Sequence, residues 1–277
     1  MKVIEKEEFD EYKKYLEDSE IKYALELSRS VTIIRCKLGD YKTIKNKLTP
    51  KQLGFINRVK HHIQKTIQDK NYIKTFWKKE KINIVYSDWK NGLKVGSQFD
   101  NIYEVDIKGA YWTEANKRGL LTKELYDEGK GKKMKPIRVI ALGSLAKKKY
   151  KYRYIPKTKS QKFINLSVNK KNKRIWDGIC NTVGNAIVDV RKSLSDNDFI
   201  FFWVDGIYFK GDKNIKEVLS IFKKHGFKCK VRNIYRIKVE IDTKNKTNAK
   251  TLVIYEDKKQ FKEKSGRPFF LSKEAFD

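Results

Sequence analysis

The sequence predicts an α+β protein, and three stretches carry that prediction. "NIYEVDI" (101–107) is a short apolar run that ends on a carboxylate, the pattern of a buried strand. "IWDGICNTVGNAIVDVRKSL" (175–194) sets Ile175, Ile179, Val183, Ile187, Val190 and Leu194 on one helical face. "FIFFWVDGIYFKG" (199–211) reads as two strands joined at Asp205-Gly206, a strong hairpin signal.

The remaining elements follow in order. Residues 5–27 carry a helical pattern. "LTPKQLGFINRVKHHIQKTI" starts a helix with Thr49 as N-cap and Pro50 at its first position, and Leu53, Ile56, Val59, Ile63 and Ile67 form its apolar face. "NIKEVLSIFKKHG" (214–226) is a helix closed by Gly226. "NIYRIKVEI" (233–241) alternates as a strand, with Tyr235, Ile237, Val239 and Ile241 on one face. From residue 100 onward the order is strand, lysine-rich insertion, helix, hairpin, helix, strand. That is close to the split β-α-β-β-α-β arrangement of ferredoxin-like sheets. Fold alone does not assign function.

Charge narrows the partner. The net charge is +30, with 64 Lys and Arg against 34 Asp and Glu. Residues 1–30 are the exception, holding six basic and nine acidic side chains. Lysines cluster in "KGKKMKP" (130–136), "LAKKKYKYRYIPKTKS" (145–160) and "VNKKNKR" (168–174). Interleaved with Tyr150, Tyr152 and Tyr154, these runs suit phosphate contacts with base stacking, so nucleic acid is the favoured partner. A hydrophobic content of 39% argues against disorder. Three cysteines (Cys36, Cys180, Cys229) and three histidines (His61, His62, His225) make no zinc spacing and no disulfide framework. With no long apolar window and no signal sequence, an intracellular protein without a membrane partner is expected.

Two aspartates focus the chemistry. In a ferredoxin-like sheet the first strand and the hairpin lie side by side, which would bring Asp106 toward Asp205. Adjacent carboxylates repel, and a pair of divalent cations resolves the conflict. Two such ions roughly 3.5–4 Å apart form the usual clamp for displacement at phosphorus.

"DIKGAYW" resembles motif A of family B DNA polymerases, in which an Asp is followed three residues later by a small residue and then by a Tyr. "FFWVDGIYFKG" resembles their motif C, and "RVIALGSLAKKK" (138–149) is similar to a loose motif B. The resemblance covers roughly residues 100–242 and rests on order as much as identity. It implies a polymerase palm in which Asp106 and Asp205 are catalytic and hold two Mg²⁺, with Mn²⁺ as a substitute. Tyr111 would lie under the incoming sugar and exclude a 2′-hydroxyl. Arg138, Ser144, Lys147 and Lys148 would bind the nucleotide triphosphate or the template backbone. Trp203 stands where motif C has its first Asp, Trp112 replaces the proline of motif A, and motif B lacks its Asn and its Tyr-Gly.

The implied organisation is a small helical N-terminal region (1–98), a palm (99–242) with a basic fingers-like insertion at about 113–174, and a short thumb-like remnant or tail (243–277). The implied activity is addition of dNTPs to a primer 3′-hydroxyl on a DNA primer-template, without a proofreading exonuclease. A helper protein would supply processivity. Heavy use of Lys, Ile, Asn and Tyr suggests an AT-rich genome, and a polymerase this short suggests a virus or mobile element, hence a host cytoplasm. Three other readings stay open at this point: a non-catalytic basic nucleic-acid-binding protein, a primase-like polymerase and a metal-dependent nuclease.

Overall fold

The computed structural model describes residues 1–28, 31–44, 48–72, 75, 87–89, 94–241, 250–255 and 261–264. In chain order the elements are β1 (Lys2–Val3), α1 (Lys6–Asp18), β2 (Tyr23–Leu27), β3 (Val31–Cys36), β4 (Gly39–Ile44), α2 (Pro50–Thr66) and the one-turn α3 (Lys70–Tyr72). Next come β5 (Ser87–Trp89), β6 (Gln98–Ile107), α4 (Ala110–Lys117), α5 (Lys123–Lys130), α6 (Lys135–Gly143), β7 (Lys148–Ile155) and β8 (Ser160–Val168). The rest are α7 (Lys170–Ser193), β9 (Phe199–Trp203), β10 (Gly206–Lys210), α8 (Asn214–Lys224), β11 (Cys229–Ile241), β12 (Lys250–Tyr255) and β13 (Phe261–Lys264). The class is α+β, with two sheets among the described residues. None of the described helices is long and apolar enough to cross a membrane.

Two compact units divide the chain, residues 1–81 with 115–178 and residues 82–114 with 179–277. Both are discontinuous in sequence, unlike the three consecutive regions that the sequence suggests.

The first unit is built on the sheet β1-β4-β3-β2-β7-β8. Its α1 side is a core of Phe9, Leu16, Tyr23, Leu25, Ile34 and Tyr154. This corrects the helical N-terminal region and the 5–27 helix. The helix stops at Asp18, Glu20 takes a positive φ of 52°, and 23–27 becomes a strand. The reason is the two-residue period of Tyr23, Leu25 and Leu27, which faces that core once β3 and β7 flank β2. Within the expected insertion at about 113–174, the lysine-tyrosine run is β7, paired with β2 and β8. Thr49 does cap α2, in a full capping box with Gln52. Leu53, however, is left exposed, and Phe55 joins Ile56, Val59 and Ile63 in the buried set.

The second unit is built on the sheet β13-β12-β11-β6-β10-β9-β5. Its central strands, β11-β6-β10-β9, are antiparallel throughout. One sheet face buries Val105, Ile107, Phe202, Ile207 and Phe209 against Val183, Ile187 and Val190 of α7 and Val218 and Phe222 of α8. The predicted apolar face of α7 is buried over its whole length, from Ile175 to Leu194. On β11 the buried residues are Ile234, Ile237 and Val239, while Tyr235 is half-buried. The β6–β11 pairing skips Asn101, whose positive φ of 54° breaks the alternation there. The expected thumb-like tail instead contributes β12 and β13 to this same sheet, and its other residues lie outside the described ones.

Candidate active site

The backbone of Asp106 lies beside the Asp205 turn on two neighbouring central strands of the second unit's sheet. Asp106 stands directly across from Gly206, the residue after Asp205, in the β6–β10 pairing. The Ile107 N–H donates to the Asp205 carbonyl at 2.9 Å, tying the strand after Asp106 to the hairpin turn. Beyond it the Lys108 N–H donates to the Lys228 carbonyl at 2.8 Å, and Gly109 takes a φ of 59°. That turn launches α4, so Tyr111 sits half-buried in its first turn against the α7–α8 core.

The hairpin turn differs from the expected Asp205-Gly206. Gly206 already pairs with Trp203, so the two turn residues are Val204 and Asp205. Val204 has a φ of 59°, in a region that strongly favours glycine and penalises a β-branched side chain. Sliding the turn by one residue is what places Gly206 opposite Asp106 and the Asp205 carbonyl on Ile107.

Alternation along β6 directs Val105 and Ile107 into the helical core and Glu104 and Asp106 to the opposite face. A Cβ added at Gly206 would lie 3.6 Å from Asp106 Oδ1 and 3.8 Å from Glu104 Oε1, so both carboxylates border the glycine. Glu104 is only 2% exposed and accepts from the Tyr208 hydroxyl at 2.5 Å. Its other oxygen holds an Arg232 guanidinium nitrogen at 2.5 Å. Burial, then the Glu104 charge, pushes the Tyr208 hydroxyl well above its usual range. Burial works against the Arg232 cation, but Glu104, and to a smaller degree Tyr208 and Asp106, hold its pKa above the ordinary value. Cys229, across from Ile107, has its thiol pushed up to about 12 by burial and then by Asp106.

Glu104, Tyr208 and Arg232 are the residues that sequence reasoning missed. Glu104 sits in an alternating strand where a charged residue ordinarily faces water. Its partners lie 104 and 128 residues away, so no local signal identifies it. Trp203, in place of an acidic residue, packs against the cluster of Ile102, Phe201 and Tyr208 on this same face.

Of the five residues expected at the nucleotide, Tyr111 belongs to the second unit and Arg138, Ser144, Lys147 and Lys148 to the first. The Arg138 guanidinium donates to the Gly129 carbonyl at 2.9 Å and to that of Lys130 at 3.5 Å. It therefore fastens the end of α5. The Ser144 hydroxyl donates to the Ala141 carbonyl at 2.6 Å, closing α6 in a 3-10 turn. Lys147 is half-buried, and burial, then Lys149 and Lys60, lowers its pKa. Lys148 is exposed at the start of β7.

Carboxylate oxygens at Asp106 and Asp205 are the donor type that Mg²⁺ prefers. Among the described residues no group of three or more His, Cys, Asp or Glu side chains is placed to hold a metal ion. Neither the family models nor the curated proteins contain a match to this chain.

Proposed function

We propose that this chain is a template-directed DNA polymerase that adds dNTPs to a primer 3′-hydroxyl. One observation carries the reading: Asp106 and the Asp205 turn are cross-strand neighbours on an antiparallel sheet of order β11-β6-β10-β9. Numbered by sequence, that order is fourth, first, third, second, with a helix after the first and third strands, which supports the ferredoxin-like palm of this reading.

In this reading Asp106 and Asp205 would hold the two Mg²⁺ ions. When bound, these supply a lowered pKa for the primer hydroxyl and charge stabilisation at the transferring phosphoryl. The chain's own residues position the reactants. Arg232, fixed by Glu104, keeps a cation close to Asp106. Tyr111, at the start of α4, would set the sugar preference. Synthesis would be distributive and salt-sensitive, and a helper protein would raise its processivity.

The test is extension of a labelled primer on a template with dNTPs and Mg²⁺ or Mn²⁺, beside Asp106→Ala and Asp205→Ala. Extension by the wild type, falling by roughly 100- to 1,000-fold or more in both variants, is the expected result. Shortening of the strand would instead indicate a nuclease, and synthesis without a primer a primase-like enzyme. A non-catalytic nucleic-acid-binding protein is the second reading. It draws on Trp203 in the motif C position and on Arg138 and Ser144 being engaged by their own backbone. Tight DNA binding with no chemistry in the wild type would establish it.

A further inference from the structure

The sheet of the first unit carries a basic face, unlike the face on which Glu104 and Asp106 lie. Because Tyr23, Leu25, Ile34 and Tyr154 face the α1 core, the alternate residues of β2, β3, β4 and β7 face the other way. That other face bears Arg35, Lys42, Lys149, Lys151, Arg153 and, across from Arg153, Lys162, against the carboxylates Glu26 and Asp40. Both acids are already engaged: Glu26 by Arg35 at 3.4 Å and by Lys151 at 3.7 Å, and Asp40 by Arg35. Lys42, Lys149, Arg153 and Lys162 have no acidic partner among the described residues.

Lys149, Lys151 and Arg153 alternate along β7, so their Cα atoms recur about every 7 Å. That repeat suits successive phosphates of an extended strand. At the Lys149 end the row opens on a cleft of about 180 Å³ with Val31, Ile33 and Ile44 beside Lys42, Lys147 and Lys149 and the carboxylate Glu26, which Arg35 and Lys151 engage. An apolar floor with a rim of net positive charge matches a flat base attached to phosphates. The neighbouring tyrosines do not contribute to this face: Tyr154 is buried on the opposite side, stacked 5.0 Å from Tyr23.

We propose that this open face of the first unit's sheet is a docking track for single-stranded nucleic acid, gripped through its phosphates along β7. The track does not rest on the candidate carboxylates, because its residues belong to the first unit; Lys147, at its cleft, is the residue it shares with those that the family resemblance assigns to the nucleotide or template.

The test is fluorescence anisotropy of the full chain on a labelled oligo-dT, repeated over a range of salt concentrations. The triple variant Lys149→Gln/Arg153→Gln/Lys162→Gln should reduce the slope of log affinity against log salt by about 2, since each single-strand phosphate contact contributes about 0.7. A control with the same charge loss on α8, Lys216→Gln/Lys223→Gln/Lys224→Gln, should leave the slope in place. Equal losses in the two variants would overturn the track. A larger loss on duplex than on oligo-dT, or an equal loss on a polyglutamate peptide, would also overturn it as a single-strand site. Photo-crosslinking of the unaltered protein to oligo-dT carrying 4-thiothymidine gives a check that needs no variant. Adducts within 148–168 are expected, and their absence from that segment contradicts the proposal. Asp106→Ala should keep both the slope and the adducts, so a failed polymerase reading and a failed track give different results.

Discussion

The two sheets share one plan and diverge in charge. Each buries one face under helices. In the second unit the opposite face combines an apolar cluster that includes Ile102, Tyr208 and Ile234 with Glu104 and Asp106, and Arg232 lies beside them. In the first it holds rows of Lys and Arg with two engaged acids. Chemistry at a phosphoryl group calls for carboxylates that can hold cations, whereas simple retention of a phosphate backbone calls for cations on the protein. The contrast lies in what stays available: on the first sheet's face both acids are engaged and cations remain, whereas on the second sheet the Arg232 cation is engaged by Glu104 beside Asp106.

The largest stability effect that would sharpen this contrast is at Glu104. Replacing it with Ala should destabilise the chain by about 3 kcal/mol in urea unfolding, because Arg232 and Tyr208 both lose the buried carboxylate that they engage. Glu104→Gln, which retains an acceptor, should lose less. A loss under 1 kcal/mol for Ala would mean that the network does not hold the Asp106 face together.

In the first unit the matching break is between two tyrosines on one strand. Tyr154 is 3% exposed and stacks on Tyr23, so Tyr154→Ala should cost about 3 kcal/mol. Tyr150 is 37% exposed, and Tyr150→Ala should cost under about 1 kcal/mol. If Tyr150→Ala instead weakened oligo-dT binding more than the loss of Lys149, base stacking would replace phosphate contact as the main attraction.

A smaller effect is expected at the turn. Val204 holds a left-handed φ that costs a β-branched residue about 1–2 kcal/mol. Val204→Gly should therefore leave thermal stability unchanged or raise it by about 1 kcal/mol, despite the greater freedom of glycine in the unfolded chain. A clear loss of stability would show that the valine side chain packs better than its backbone suffers.

A further effect is in the pH profile. The Cys229 thiol titrates near 9.0 in the unfolded chain and is pushed up to about 12 in the folded one, by burial first and then by Asp106, with Lys108 partly offsetting. Below pH 9 both states keep the proton and the contribution to stability is complete. Above it the unfolded chain ionises while the folded one does not, so stability should drain away between pH 9 and about 12. Cys229→Ser should flatten that decline, and iodoacetamide should modify the native thiol slowly at pH 8.

Much of this was legible in the residues. The period of α7, the capping of α2 by Thr49 and Pro50, and the hairpin after Trp203 all depend on neighbours in sequence. Asp106 stood out because a lone carboxylate closed an apolar run. What stayed hidden was non-local. Tyr150, Tyr152 and Tyr154 showed a period of two, but only pairing with β2 decides that Tyr154 turns inward and Lys149, Lys151 and Arg153 outward. Glu104 looked like a solvent-facing member of an alternating strand until Tyr208 and Arg232 closed over it. Arg138 and Ser144 matched a motif by position, while their side chains are occupied by the ends of their own helices.

The measurement that tests the division of labour most directly sets three proteins side by side: wild type, Asp106→Ala, and Lys149→Gln/Arg153→Gln/Lys162→Gln. Each is assayed for primer extension at low salt and for the salt slope of oligo-dT binding. The account predicts a double dissociation. Asp106→Ala should lose extension and keep the slope, and the triple variant should extend at low salt with a slope lowered by about 2. Extension by Asp106→Ala, or a joint loss of both properties in either variant, would contradict it.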